Sequence, residues 1–515
     1  MFYLITLLTL ILTLLQSFGQ AVPLTSCNDE YCVMSRAELT PLEIQLELGP
    51  QLCGSSYIFG PDDPRWPQRV IRFQEYMAPQ FTVWVQIGCE DDISTVVQYA
   101  YQNGIPFYTV NRAYGLPKSQ GKFRGMAIDV QRLTDVVVDR ERQIARVSAG
   151  TGTQDLIDAL WEEGYVTVTG ASSCAGIVGQ ALGGGHGRYK TRYGLMLDNM
   201  VQLNVVLGNG TTLVVSDDSH EDLFWAMKGA GHNFGIVTSY EMKIYPHEED
   251  TWYFRNYVFT QDKLEPFFET LNKVVARNGS QPVEMDVDFG HFEFNPLFSD
   301  TDVILYWTFN YAGPQIDAEK YLAPFDAIGP INVTDGTVPY PDMPLASRNG
   351  KLDSTCAKGF AKKASTVGLQ VYNTSACRQV YDLFDARLKE YQELRPASFV
   401  LFEGYSNQAV KTIDPATSAF PHRHDYINQI TTITHVPDPS LDAPAMQLAH
   451  DIRELFIDGQ PDRLPSAHVI YAFGDEPLEQ VYGYEPWRLE KLWALKAIYD
   501  PTNQFAYHVP LIPLE

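Results

Sequence analysis

Basic residues are scarce in this chain: 38 Lys and Arg stand against 63 Asp and Glu, a formal net charge of −25. Such a balance provides no cationic footprint, which argues against nucleic acid or an anionic membrane as a partner. No GxxxxGK[ST] phosphate loop occurs. The nearest approach to a dinucleotide fingerprint, Gly229 to Gly235 (GAGHNFG), has the wrong spacing and follows a helical segment rather than a strand. A P-loop nucleotidase and a Rossmann domain are thereby excluded. Low-complexity tracts and internal repeats are missing as well. One apolar run is long, Phe2 to about Leu15, and it falls short of a comfortable membrane span. His186 lacks partners at a metal-ligand spacing, and successive residues of the run His422-Arg423-His424-Asp425 would point to opposite faces of a strand, so no metal is expected.

What is present is ample chain. The 515 residues exceed the needs of one core, so two or three domains are expected. Residues 1–21 read as a secretory signal with small residues Gly19 and Ala21 at the cleavage site, and the protein is expected to be extracellular. Asn209, Asn278, Asn332 and Asn373 begin glycosylation triplets. Seven cysteines in an oxidising compartment suggest disulfides with one thiol left over. Cys53 with Cys89, Cys356 with Cys377 and Cys27 with Cys32 are compatible pairings. Connectivity is not fixed by sequence, but Cys174 is the odd one out.

Short β-rich runs alternate with helical segments from residue 79 to 250, after an N-terminal segment at 22–78. FTVWVQI, IPFYTV, GMAIDV and IARVSAG read as strands, with Thr153 capping the helix QDLIDALWEEG. VQLNVVL, GNG and TTLVVS read as a hairpin. From 251 to 470, longer strand-like runs such as DVILYWTFNYA and YINQITTITHV alternate with helices, the pattern of a large antiparallel sheet backed by helices. Residues 471–515 carry a terminal helix stopped before Pro501. The fold class is therefore α+β.

Between strand YVTVTG and an apolar-spaced segment lies SSCAGIVGQALGGGHG, residues 172–187. Glycines there let backbone N–H groups approach phosphate oxygens, and a helix N-terminus would add its dipole. IARVSAGTGTQDLIDAL, TGASSCAGIVGQALGGGHGRYKTRYGLMLDNM and DLFWAMKGAGHNFGIVTSYEMKIYP follow in order. Together with the tail LKAIYDPTNQF, they resemble the signatures of PCMH-type FAD-linked oxidases of the berberine-bridge-enzyme-like group. FEGYSNQAV and SAFPHR resemble the substrate domain of the same enzymes. The resemblance implies the vanillyl-alcohol-oxidase fold, a two-lobed FAD-binding domain beneath a sheet-floored substrate domain. By position it assigns Gly150, Gly176, Gly179, Gly183, Gly184, Gly185 and Gly187 to the flavin cradle. It places Gly235, Ile236 and Val237 at the adenine side and Asn503 near the isoalloxazine.

Two departures matter. Many members attach flavin through a histidine in an R-x-G-G-H loop and a cysteine upstream of V-G-V-x-G. The loop here reads Arg112-Ala113-Tyr114-Gly115-Leu116, with Leu116 in the histidine's place, and the cysteine's place falls on Ser172. Non-covalent FAD is the expectation, with Cys174 and His186 outside the chemistry. The Lys- and Arg-rich loop from Arg112 to Gly125, including Lys118 and Lys122, is expected to offset the phosphate charge.

Hydride transfer to flavin needs a base for the departing proton. Family members often use a tyrosine of a Y-x-N segment, which here is Tyr471-Ala472-Phe473, with Phe in place of Asn. Tyr471 is the leading base candidate; Glu403 and His422 (beside Arg423) follow, as strand residues expected to face the pocket. The implied activity is that of a secreted FAD-dependent oxidase of a small alcohol, carbohydrate or specialised metabolite, with O2 as acceptor. An oxidative cyclase, a dehydrogenase that does not use O2, and a flavin-binding protein without turnover are the alternatives.

Overall fold

The computed structural model describes residues 39–248 and 251–514. The expected signal segment and the Cys27–Cys32 pairing lie outside the described residues.

Two small sheets form one half of the molecule. The first contains β1 (Tyr57–Phe59), β2 (Gln80–Gln86), β3 (Phe107–Val110) and β4 (Arg124–Asp129) in the order β1-β2-β4-β3. Its β2–β4 and β3–β4 pairs are parallel. Helix α1 (Asp92–Gln102) makes the crossover, burying Ile93, Val96, Val97 and Ala100 at helical spacing against it. The second sheet is antiparallel: β5 (Val136–Asp139), β6 (Ile144–Ser148), β7 (Met200–Val206), β8 (Thr212–Ser216) and β9 (Ile236–Lys243), ordered β5-β6-β9-β7-β8. The β7–β8 hairpin forms as the GNG turn predicts. Helix α2 (Thr153–Glu162) differs at its start: the cap is Gly152, not Thr153, because the Asp155 carboxylate turns back to accept the Gly152 N–H at 3.0 Å.

The other half is a seven-stranded antiparallel sheet. Its strands are β10 (Trp252–Phe259), β11 (Met285–Glu293), β12 (Ile304–Tyr311), β13 (Asn332–Val338), β14 (Ala361–Leu369), β15 (Phe399–Tyr405) and β16 (Ile427–His435). They lie in the order β13-β10-β12-β11-β15-β16-β14. Helices α3 (Leu264–Leu271), α4 (Thr374–Glu390) and α5 (Pro439–Asp458) pack on one face through Phe267, Phe268, Phe384, Leu448 and Ile452. Every residue of β12, β14 and β16 is buried, so both faces are covered. The α+β architecture and the large sheet read from the sequence are as expected.

Disulfide pairing is partly otherwise. Cys53 bonds Cys89, but Cys356 bonds Cys174 across 182 residues, and among the described residues Cys377 is the free, buried thiol. Cys377 lies in α4, in the helix layer, whereas Cys356 lies in a strap (347–360) against the half built from the two small sheets. The strap is held there by Ser173 N–H to the Asn349 carbonyl, Tyr114 Oη to the Cys356 carbonyl and Lys358 Nζ to the Arg112 carbonyl.

The C-terminal helix α6 (Pro486–Tyr499) ends in a buried ion pair. Lys496 Nζ donates to Asp500 Oδ2 (2.6 Å) and to the carbonyls of Asn233 (2.8 Å) and Phe505 (3.0 Å), using all three protons. Asp500 in turn accepts the N–H groups of Gln504 and Phe505. Breaking a buried pair by removing one partner strands the other charge. Lys496→Met should cost about 3–5 kcal/mol, read as a lowered denaturation midpoint with an unchanged m-value.

Candidate functional site

A cavity of ≈ 370 Å³ opens where the two halves meet. Strand β3 drives apolar Phe107 and Val110 into the core and then releases the chain into the loop Asn111–Leu116, which forms one wall. Arg112 is braced there by the Gly150 carbonyl (3.2 Å) and by Asp155 of α2. The glycine-rich segment and the start of β9 form the next walls. The sheet supplies the floor, because period-two alternation sends Phe399, Leu401 and Glu403 of β15 and Ile430 and Thr432 of β16 to the same face. The segment His468–Tyr471 and the tail residues Gln504, Phe505, Tyr507 and His508 close it.

Of the residues singled out from sequence, the cavity wall contains Arg112, Tyr114, Gly115, Ser172, Gly176, Gly179, Gly185, Gly235, Ile236, Val237, Glu403 and Tyr471. A Cβ at Gly179 would meet nothing within 4 Å, so this glycine opens toward free space. The short helix at Ile177–Ala181 has five residues, too few for the expected dipole contribution.

Nine residues lie elsewhere. Gly183, Gly184 and Gly187 are packing positions: added Cβ atoms would strike Ile470, Phe420 and, at 1.7 Å, the Thr169 carbonyl. Gly150 likewise packs on the Val130 carbonyl. His422 sits in a turn, not a strand, and its ring Nε2–H donates to the Val481 carbonyl at 3.0 Å. Neighbouring Arg423 is consumed by Asp198. Asn503 donates to the Ile512 carbonyl at 3.0 Å and folds the tail's turn, which brings its successors Gln504 and Phe505 to the cavity. Lys118 and Lys122 are absent from the wall; Lys122 reaches the Leu514 carbonyl instead.

Sequence reasoning missed Arg72, Asn111 and four histidines that line the cavity. Arg72 is 2% exposed and spends one nitrogen on Gln120 Oε1 (2.8 Å), leaving Nε and Nη1 without a protein partner. His186, His232, His468 and His508 each keep one unpartnered ring nitrogen. His186, expected to lie outside the chemistry, is among the residues of the cavity wall. Burial lowers all four, His232 to about 4 and His468 to about 3, so each is a neutral imidazole at physiological pH. A usable signal existed: each lies inside or beside a glycine motif or the tail (GGGHG, GAGHNFG, SAHVIYAFG, FAYHVP).

Glu403 and Tyr471 face each other, the phenol donating to Glu403 Oε2 at 2.8 Å. Burial raises the Glu403 carboxyl to about 7, against the pull of the Tyr471 hydrogen bond and the Lys190 charge. Burial, then the Glu403 charge, hold Tyr471 well above the usual phenol range.

The chain is similar to known proteins along nearly its whole length. An FAD binding domain matches residues 81–216. The FAD-linked oxidoreductase anuG of Penicillium roqueforti is 49% identical over 97% of this chain and 98% of that relative. This chain belongs to the FAD-linked oxidoreductases. Its fold is that of the berberine-bridge-enzyme-like, PCMH-type oxidases: carbohydrate oxidase from Microdochium nivale superposes with a TM-score of 0.75 at 19% identity, covering 92% of this chain and 100% of that one. Glucooligosaccharide oxidase from Acremonium strictum, whose FAD is 6-S-cysteinyl and 8α-N1-histidyl, gives 0.73 at 19% identity over 92% and 99%.

FAD fits the wall of this oxidoreductase. Unpartnered guanidinium nitrogens on Arg72 and Arg112 suit phosphate oxygens, and the orphaned imidazole nitrogens suit polar atoms of a heterocycle. Each buried group left unsatisfied would cost about 1–3 kcal/mol, which a bound cofactor removes. Arg72→Met should weaken FAD binding about 10–100-fold, the loss of one charge-assisted hydrogen bond, while Lys118→Ala/Lys122→Ala should leave it unchanged. Titration of apoprotein with FAD, followed by flavin fluorescence, checks both.

Proposed function

We propose that this chain is a secreted oxidase that uses non-covalently held FAD to oxidise a small, largely apolar alcohol or related specialised metabolite, with O2 as the electron acceptor. The observation that carries the reading is the Tyr471–Glu403 hydrogen bond at the cavity floor. Bound FAD supplies the hydride acceptor. The substrate's hydroxyl proton passes to Tyr471 Oη as the phenolic proton passes to Glu403, and the C–H electron pair leaves as hydride, giving a carbonyl product. Tyr471, which burial keeps protonated, is thus the relay, and Glu403, poised at about 7, is the base. His422 takes no part. Phe399, Leu401 and Ile430 make the floor around this pair apolar, which suits a flat metabolite better than a sugar chain.

Non-covalent attachment is supported by three residues. Buried Leu116 offers no nucleophile, Ser172 no thiol, and the Cys174 sulfur is committed to Cys356. Secretion and glycosylation are supported by the two disulfides and by the exposure of Asn209, Asn278, Asn332 and Asn373. Asn373 also caps α4 through its side chain, so a glycan there would compete with the cap. The use of O2 is supported by the names of the similar solved structures, several of them oxidases.

Acid precipitation of purified protein should leave yellow flavin in the supernatant; a yellow pellet refutes the non-covalent reading. Anaerobic mixing with a panel of alcohols, sugars and phenolic metabolites should bleach the flavin with an apolar member, and admitting O2 should restore the band with release of H2O2. Bleaching without reoxidation would point to the dehydrogenase or cyclase, and no bleaching by any member to a carrier.

Glu403→Gln should slow flavin reduction about 10²–10⁴-fold at unchanged flavin content. Because the folded carboxyl is raised to about 7 and must be deprotonated to act, kcat/KM should climb with pH through about 7 and then level. That limb should vanish in the variant, and stopped-flow bleaching across pH 5–9 reads both.

A further inference from the structure

Behind the cavity wall a lysine is buried without a counter-ion in hydrogen-bonding contact. Lys190 follows the glycine-rich segment on a short helical turn, Lys190–Tyr193, and is 0% exposed. Its hydrogen bond among the described residues goes to His186 Nδ1, at 2.6 Å, and its Nζ lies 4.7 Å from the centre of the Tyr405 ring. Burial pulls the ammonium down to about 7; the charges of Glu403, Asp286, Asp288 and Asp425 pull it back up. Asp286 is occupied by the Tyr189 N–H and Asp288 by the Tyr372 hydroxyl, so neither acid turns to the lysine.

With Lys190 as the ammonium, the contact sets the tautomer. A neutral imidazole that accepts an ammonium proton at Nδ1 carries its own proton on Nε2. His186 Nε2 is the nitrogen without a protein partner, and His186 lines the cavity. Beside it, at 4.6 Å between ring centres, His468 accepts the Ile470 N–H at Nδ1 and so presents its own Nε2–H in the same way. A cavity that accepts a hydride gains negative charge, and fixed donors backed by a buried cation stabilise that charge without reorganising.

We infer that Lys190 is a positioning residue that acts through His186, fixing its Nε2–H toward the cavity and backing it with positive charge so that reduction of the bound flavin is favoured. This rests on the reading of the cavity as an FAD site. Lys190→Met removes the charge, and His186→Phe removes the donor while keeping a ring.

The experiment compares the midpoint potential of bound FAD in the wild-type holoenzyme and the two variants, by dye-coupled anaerobic reduction. Each variant should make reduction about tenfold less favourable, about 30 mV more negative for a two-electron couple. The double variant should shift no further than the larger single. Loss of thermal stability with an unmoved potential would overturn the inference, as would a shift in His186→Phe that Lys190→Met does not share. A second measurement needs no variant. Nitrogen-15 shifts of the His186 ring in wild-type protein should report the Nε2–H form, and the Nδ1–H form would overturn the inference whether or not Lys190→Met folds. Wild-type protein that binds no flavin would instead defeat the FAD reading and leave the tautomer to decide this one.

Discussion

The site depends on the buried Lys496–Asp500 pair. Lys496 ties the last helix to the Asn233 carbonyl, at the turn leading into β9, while Asp500 gathers the backbone of Gln504 and Phe505. A second strand of the same knot runs through Asn233, whose side chain accepts the Leu511 N–H and donates to Tyr482 Oη. Every donor of the ammonium is used, which is the condition under which burying a charge pair is tolerable. This anchor fixes the wall formed by Gln504, Phe505, Tyr507 and His508 against the wall formed by Gly235 to Val237, alongside the packing of Phe505 in the cluster that holds Ile236. The cavity is thus held in register by a few fully satisfied polar contacts together with the packing of Phe505 and Tyr507.

The cavity wall joins residues from distant parts of the chain. The loop after β3, the glycine-rich segment, the floor of β15 and β16, and the tail each bring polar atoms to one place, and many of those atoms have no protein partner. Such a collection is expensive for a protein to maintain for packing reasons. It is what a large polar and heteroaromatic ligand would require, and membership in the FAD-linked oxidoreductases accords with it. The Glu403–Tyr471 pair at the floor follows the same logic: burial raises the Glu403 carboxyl to about 7, into the range where it can exchange a proton near neutrality.

Much of this was legible in the sequence, and the illegible parts have physical causes. Strand runs such as ILYWTFNY and the hairpin around Gly208-Asn209-Gly210 carry their periodicity openly, so the two kinds of sheet could be read. Motif spacing placed Leu116 and Ser172 at the points where a tether would otherwise be. Which face a strand residue takes is invisible in one sequence, so the inward turn of Glu403 could not be read, and the strand expected at His422 is a loop there, the strand itself beginning at Ile427. Arg72 lies in an irregular stretch with no periodic signal, and its significance comes from burial alone. Glycine richness signalled two things at once: Gly179 opens the cavity, whereas Gly187 is glycine because the Thr169 carbonyl leaves no room for a side chain.

The Cys174–Cys356 bond has a consequence for the edge of the cavity. It joins the glycine-rich segment to the strap 347–360, and Asn349 and Thr355 of that strap line the cavity. The bond spans 182 residues, so two stretches of wall that are remote in the chain are fixed to each other at one edge of the cavity. Widening the opening on that side requires the strap and the glycine-rich segment to move as one piece.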